Sequence, residues 1–219
     1  MELTEALYTT RAMRRVRPDP IPADVQARIL DAAIRAPTGG NAQNWRFLLV
    51  DDPDVIGRIA PLYKAGIDML WTTVYAQQVA WAAEDPEDPE RAQFLRVQRS
   101  AQWGADNFAT YPLLLFGFAQ HDPTGGSIYP ALWSAQLAAR GEGVGSSLTA
   151  VLLFHNADVY EILGIPTDEG WLMAGCIPFG YPTGQWGVAA RRPVDQVAYR
   201  NRWGGPLDFE VPAPLWPAD

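Results

Sequence analysis

Four arginines, Arg11, Arg14, Arg15 and Arg17, fall within seven consecutive residues in the stretch RAMRRVR. A second basic pair, Arg191 and Arg192, stands just before Pro193 near the other end of the chain. The guanidinium group is a planar fork that meets phosphate oxygens two at a time, so such clusters suit an anion clamp. The same run also reads as a solvated basic face. Two turns are short of side chain and rich in polar atoms. APTGGNAQNW, residues 36–45, gathers Thr38, Gly39, Gly40, Asn41 and Gln43, and GVGSSLTA, residues 143–150, gathers Ser146, Ser147 and Thr149. Glycine lets a backbone come close to a ligand, while hydroxyl and amide groups offer directed hydrogen bonds. Neither turn has the G-x-x-x-x-G-K-[ST] form of a phosphate loop or the G-x-G-x-x-G form of a dinucleotide fold. Arginines at both ends and two small polar turns imply a flat heteroaromatic ligand that carries an anion.

Other chemistries find little support. The single cysteine, Cys176, sits among apolar neighbours in LMAGCIPFGYP and reads as a small buried hydrophobe. His121 and His155 lie far apart, with no Cys or His at ligand spacing, so no metal site is expected. A formal net charge of −8 argues against nucleic acid as a partner, since that binding needs a basic face. No apolar run approaches the roughly 18 residues of a membrane span, and the acidic start MELTE lacks the pattern of a secretory leader. The expected location is the cytoplasm.

The elements that must position these residues follow from periodicity and breakers. Apolar residues are 48% of the 219 and charged residues 19%, enough for a large core. A short helix is expected over 3–13, then an extended passage through Pro18, Pro20 and Pro22. Val25, Ile29, Leu30, Ala33 and Ile34 line one face of a helix over 23–36. WRFLLVDD reads as a strand buried on both faces. Residues 52–85 read as helix broken near Pro61, EDPEDPE as a loop, and 91–105 as helix. YPLLLFGFA (111–119) and WLMAGCIPFGYP (171–182) read as two further buried strands. The Ala-rich stretch 127–145 reads as a helix ending in glycines, and 159–163 as a short helix. Helices should cover both faces of the small sheet. The tail is Pro-rich yet carries Phe209, Val211, Leu215 and Trp216, which suggests an extended arm that packs on a second subunit.

Four stretches, TRAMRRVRPDPIP, APTGGNAQNW, GYP and RRP, occur in this order. Their order resembles the FMN-dependent nitroreductase family, whose pattern is Arg-Arg-Ser-x-Arg, Pro-x-Pro, Ala-Pro-Ser-x-x-Asn-x-Gln-Pro-Trp, Gly-Tyr-Pro and a late basic residue before proline. The likeness runs from about residue 6 to 205. It implies an α+β fold: a central mixed, mostly antiparallel sheet under helices on both faces, with an extended C-terminal arm exchanged across a homodimer. Residues 1–205 would form the FMN-binding domain, with 62–103 a variable helical lid, and 206–219 the arm. By the same resemblance Arg11 and Arg14 hold the FMN phosphate with Arg191, beside Ala12. Thr38 and Gly39 reach the flavin, and Asn41 and Gln43 match the amide positions. Ser147, Leu148 and Thr149 run beside the isoalloxazine ring, where an N–H or hydroxyl can bond flavin N5. The sequence departs from the pattern at Thr10 and Ala12, which replace an arginine and a serine, and at Asn44, which replaces proline before Trp45.

With FMN bound, the protein needs no catalytic side chain of its own, because the cofactor carries the hydride chemistry. The resemblance implies NAD(P)H as reductant and a small aromatic or quinone acceptor in the same pocket, by ping-pong turnover. Gly40, Trp71 and Tyr75 are the candidate substrate contacts, with Tyr63 and Lys64 as lesser lid candidates. The tryptophans at 71, 81, 103 and 133 read equally as core or interface. Alternatives on the same scaffold are dehalogenation, flavin fragmentation and substrate dehydrogenation, or storage of FMN without turnover. Ala12 stands where the flavin-fragmenting branch has aspartate, and the Glu–Tyr–Lys set of the dehalogenases is not placed in 62–103.

Overall fold

The computed structural model describes residues 1–211 together with Trp216. The chain divides into two compact units: Ala12–Gln185, and a smaller one of Met1–Arg11 with Trp186–Asp219.

The larger unit is built on a five-stranded sheet of β1 (Val16–Arg17), β2 (Trp45–Val50), β3 (Leu113–Ala119), β4 (Gly145–Ser146) and β5 (Leu172–Pro182). The order is β1-β5-β3-β2, with β4 also on β5, and every strand pair is antiparallel. β3 is central and wholly buried. Its even-numbered residues Leu114, Phe116 and Phe118 join one core cluster, while Leu113, Leu115 and Ala119 join another. This is the period-two alternation of a strand buried on both faces. On β5 the phase flips: Met173 and Cys176 face the first cluster, and Ile177 and Phe179 the second. The flip coincides with a register shift between Gly117 and Phe118, where a bulge re-aims the side chains of β5.

Helices α2 (Ala23–Ala33) and α6 (Ile128–Gly141) cover the second face, and α3 (Pro53–Met69), α5 (Pro89–Asp106) and α7 (Asn156–Leu163) cover the first. Side-chain caps set the starts of α3, α5 and α6. Asp52 accepts from Asp54 N–H at 2.9 Å, Asp88 from Glu90 and Arg91 N–H at 3.1 and 3.0 Å, and Asp122 from Ser127 and Ile128 N–H at 3.0 and 2.9 Å. α2 stops at Ala33.

Three expectations need correction. α3 is not broken at Pro61; it runs through it. The carbonyl that loses its partner is that of Gly57, which is exposed, while Ile56, Ile59, Tyr63 and Ile67 anchor the opposite side. The break comes instead at a π-helical turn, Leu70–Val74, where Tyr75 N–H donates five residues back to Leu70 O at 2.9 Å. α4 (Ala76–Glu84) follows. β2 is an edge strand and not doubly buried: only Trp45 and Val50 are fully covered, and Arg46 lies over the Trp171 ring at 4.6 Å. β4 was read as part of a turn; two residues carry too little periodicity to show as a strand.

The smaller unit contains α1 (Leu3–Thr9), shorter than the helix expected over 3–13. Within it the Tyr8 and Trp216 rings are 5.8 Å apart, Tyr199 and Trp203 are 5.2 Å apart, and Arg200 pairs with Asp208. Of the arm expected over 206–219, residues 212–215 and 217–219 lie outside the described residues.

Candidate active site

The segment after α6 is pinned along the outer edge of β5. Ser147 N–H donates to Pro178 O at 3.3 Å and Thr149 N–H to Cys176 O at 2.8 Å, and Cys176 N–H returns a bond to Thr149 O at 2.9 Å. In an extended segment successive N–H groups alternate in direction. Leu148 N–H therefore points away from β5, and among the described residues no group accepts from it. Leu148 is 38% exposed. Beneath it, Gln136 Nε2 donates to Ser146 Oγ at 3.1 Å in the core.

Ala12 forms a parallel bridge with Ser146, and Met13 N–H donates to Ser146 O at 2.9 Å. The crossing depends on missing side chains. A Cβ on Gly145 would meet Met13 Cβ at 2.9 Å, and one on Gly180 would meet Val16 Cγ2 at 2.6 Å. Arg14 leaves this crossing and lies along α5, where Nη1 donates to Ser100 Oγ at 3.4 Å. Among the described residues no carboxylate pairs with it. Its neighbours in the basic run are occupied otherwise. Arg15 stacks over Trp103 at 5.1 Å, and Arg17 pairs with Asp19 at 3.0 Å and lies over Tyr181 at 5.6 Å.

Two buried tyrosines that the sequence did not single out for this role stand under the segment. Tyr111 Oη donates to Arg14 O at 2.7 Å. Tyr63, read from sequence as a lid contact, is in the core at 4% exposure, with the Thr149 side chain near its hydroxyl. Burial pushes both phenols up, and the Cys176 thiol likewise, so all three stay neutral at ordinary pH. Cys176 is buried, as its neighbours implied. Lys64 is taken by an ion pair with Asp106.

The turn at 38–43 is stressed backbone. Gly40, Asn41 and Gln43 have φ of 59°, 53° and 51°. Left-handed conformations cost an L residue about 1 kcal/mol or more, so two non-glycines there mark a shape that the surroundings impose. Thr38 Oγ1 accepts from Gln43 N–H at 3.2 Å, and Gln43 Nε2 donates to Asn41 Oδ1 at 3.1 Å. A Cβ on Gly39 or Gly40 would meet nothing within 4 Å. This turn leads into Trp45, which pairs with Ala119 at one end of the sheet, whereas Thr149 is level with Cys176 and Phe116 on the other side of β5. Counting strand spacings and rises puts Trp45 about 17 Å from Thr149.

Trp71 in the π-helical turn and Tyr75 just after it have ring centroids 5.6 Å apart, and Phe94 of α5 is 6.2 and 6.4 Å from them. Trp71 Nε1 is buried without a partner among the described residues, and Tyr75 is exposed. Arg11 and Arg191 belong to the smaller unit: the Arg11 guanidinium lies 4.0 Å from the position of a Cβ on Gly187, and Arg191 Nη1 donates to Ala190 O at 2.9 Å. The described residues hold no cluster of metal ligands and no helix long and apolar enough to cross a membrane.

An antiparallel sheet between helix layers is the fold of a known class. Residues 7–181 match the model of the Nitroreductase family, and the chain belongs to that family. It is 30% identical over 194 residues to 5,6-dimethylbenzimidazole synthase of Rhodobacter capsulatus, covering 81% of this chain and 84% of that one. Among solved structures it resembles oxidized iodotyrosine deiodinase bound to FMN and 3-iodo-L-tyrosine, with a TM-score of 0.72, 22% identity, and 92% and 100% of the two chains covered. It also resembles the FMN-dependent nitroreductase NfnB from Mycobacterium smegmatis in complex with NADPH, with a TM-score of 0.65, 19% identity and coverage of 90% and 97%.

Proposed function

We propose that the protein is an FMN-dependent oxidoreductase that takes reducing equivalents from NAD(P)H and passes them to flat, electron-poor acceptors such as nitroaromatics or quinones. The observation that carries this reading is the edge segment Ser147–Thr149, with the outward Leu148 N–H, crossed at Ser146 by the chain that leads into Arg14, which has no carboxylate partner among the described residues. When bound, FMN would supply hydride transfer at its ring, and the chain would hold and orient it. Arg14 would hold the phosphate through charge-assisted hydrogen bonds. The Leu148 N–H would point a dipole at the ring where negative charge develops. The Thr149 side chain is engaged by Val151 N–H, with the Tyr63 hydroxyl near it, which favours the backbone donor over the hydroxyl. For Ala12, Arg11 and Arg191 the proposed cofactor role rests on the sequence pattern.

The 38–43 turn enters this reading through a second copy of the chain. Trp45, where this turn ends, and the Ser147–Thr149 segment have β3 and β5 between them, so a homodimer would bring Thr38, Gly39, Asn41 and Gln43 to the ring, with Gly40 facing the substrate. Trp71 and Tyr75 would cover an aromatic acceptor. Deiodination of a zwitterionic amino acid is the weaker reading here: Tyr63 is buried, Lys64 is paired with Asp106, and neither is available to grip a substrate.

The test is an absorbance spectrum of the purified protein before and after anaerobic addition of NADPH or NADH. Flavin bands that bleach are the expected result. Bands that persist with both nucleotides reject the reductase reading, and no flavin after addition of FMN rejects the cofactor.

A further inference from the structure

We propose that Tyr111 is the positioning residue of the anion site: it holds Arg14 in place, and the ring stack it forms with Phe108 and Tyr63 sets Arg14 and Thr149 in one rigid frame. The Tyr111 hydroxyl reaches across 97 residues of sequence to the Arg14 carbonyl, at 2.7 Å and at 3% exposure. The Arg14 side chain passes close over Gly104 of α5. A Cβ on Gly104 would lie 3.2 Å from Arg14 Cδ and 3.5 Å from Tyr111 Oη. Ser100, one turn earlier on α5, receives the guanidinium. Phe108 lies edge-on to Tyr111 at 5.6 Å and stacks on Tyr63 at 4.2 Å. The far hydroxyl of the stack lies near the Thr149 side chain, whose backbone is tied both ways to Cys176. Each end of the three-ring stack thus borders one part of the site. A free arginine loses much rotamer freedom when it captures an anion; a side chain already bedded against Gly104 and Tyr111 has lost that freedom beforehand. Burial keeps both phenols protonated, so the Tyr111 hydroxyl bond persists across the working pH range.

This inference rests on the reading that Arg14 holds the phosphate of FMN, and the test separates the two. Dissociation constants for FMN and for riboflavin, which lacks the phosphate, are measured by flavin fluorescence on the full chain. The parent should prefer FMN, and Arg14→Ala should lose most of that preference. Tyr111→Phe keeps the ring and removes only the hydroxyl; it should raise the FMN constant about tenfold, the worth of one hydrogen bond, and leave riboflavin unchanged. A role confined to packing would move both ligands alike or neither. Gly104→Ala, which crowds Arg14 Cδ, should show the same selective loss, and it decides the matter should Tyr111→Phe unfold. A parent that does not distinguish the ligands, or an Arg14→Ala variant that still does, overturns the phosphate reading and this inference with it. Preference lost in Arg14→Ala but kept in Tyr111→Phe or, failing that variant, in Gly104→Ala overturns the inference alone.

Discussion

Gly175→Ala tests how rigidly the Ser147–Thr149 segment is held. A methyl group at 175 would stand 2.9 Å from Thr149 O and 3.2 Å from Leu148 Cδ1, where ordinary contacts begin at 3.4 Å. The first clash is therefore about half an ångström too close, and against backbone. Thr149 O cannot retreat freely, because it accepts from Cys176 N–H at 2.9 Å and Thr149 N–H is bound in turn to Cys176 O. Either the bridge stretches or β5 bends at its bulge. Overpacking of this kind costs about 1–3 kcal/mol. For a chain of this size each kcal/mol lowers the melting temperature by about 2–4 °C, so a fall of about 2–12 °C is expected for the flavin-free protein. The displacement also moves Leu148 N–H, so FMN affinity should fall together with stability. Thermal unfolding followed by circular dichroism and an FMN titration read the two effects. A variant as stable as the parent with the same FMN affinity would show that the segment yields, and would refute the rigid-edge reasoning.

Four other perturbations have defined outcomes. Leu132→Ala opens a cavity at a fully buried side chain of α6 and should cost about 2–5 kcal/mol in urea unfolding. Arg191→Ala should weaken FMN binding by about 1.5–3 kcal/mol, and unchanged affinity would remove that residue from the phosphate site. Trp71→Leu should raise KM for aromatic acceptors while leaving FMN affinity alone; equal KM values would assign the ring to packing only. Arg28 bonds both Glu142 and Asp24 and holds their carboxyls below the usual values of 4.5 and 3.8. A carboxyl depressed in the folded state stabilises above its unfolded value and loses that contribution as pH falls through the folded one. Stability should therefore drop from about pH 4.5 downward, by a small and salt-sensitive amount because the groups are exposed, and Arg28→Ala should flatten that slope in acid melts.

The sheet was legible where burial is one-sided in chemistry. β3 is apolar at every position, and its burial in the structure is complete. The helix signals held for α2, α5 and α6 because breakers and caps bound them in sequence. What escaped the sequence were elements set by partners elsewhere. β1 and β4 are two residues each, and they exist because β5 offers them an edge. Pro61 reads as a breaker from its own chemistry, yet the buried face of α3 carries the helix past it. The π-helical turn leaves no local signature.

The candidate site divides in the same manner. The polar turns announced themselves by composition, because close backbone approach and left-handed angles demand glycine and asparagine there. The arginine run could not be parsed from its spacing. Three of its members in the larger unit meet different surroundings, and only Arg17 finds its ion-pair partner, Asp19, close by in sequence. Trp103 claims Arg15 and Ser100 receives Arg14, each more than eighty residues away. Charge density in sequence thus counts candidates for an anion site, while long-range packing decides which candidate keeps its charge uncommitted. Arg15, like Arg14, has no carboxylate among the described residues and lies over Trp103; what sets Arg14 apart is that its side chain rests against the backbone of a glycine and its carbonyl takes a buried hydroxyl. Its positive end is left without a carboxylate among the described residues.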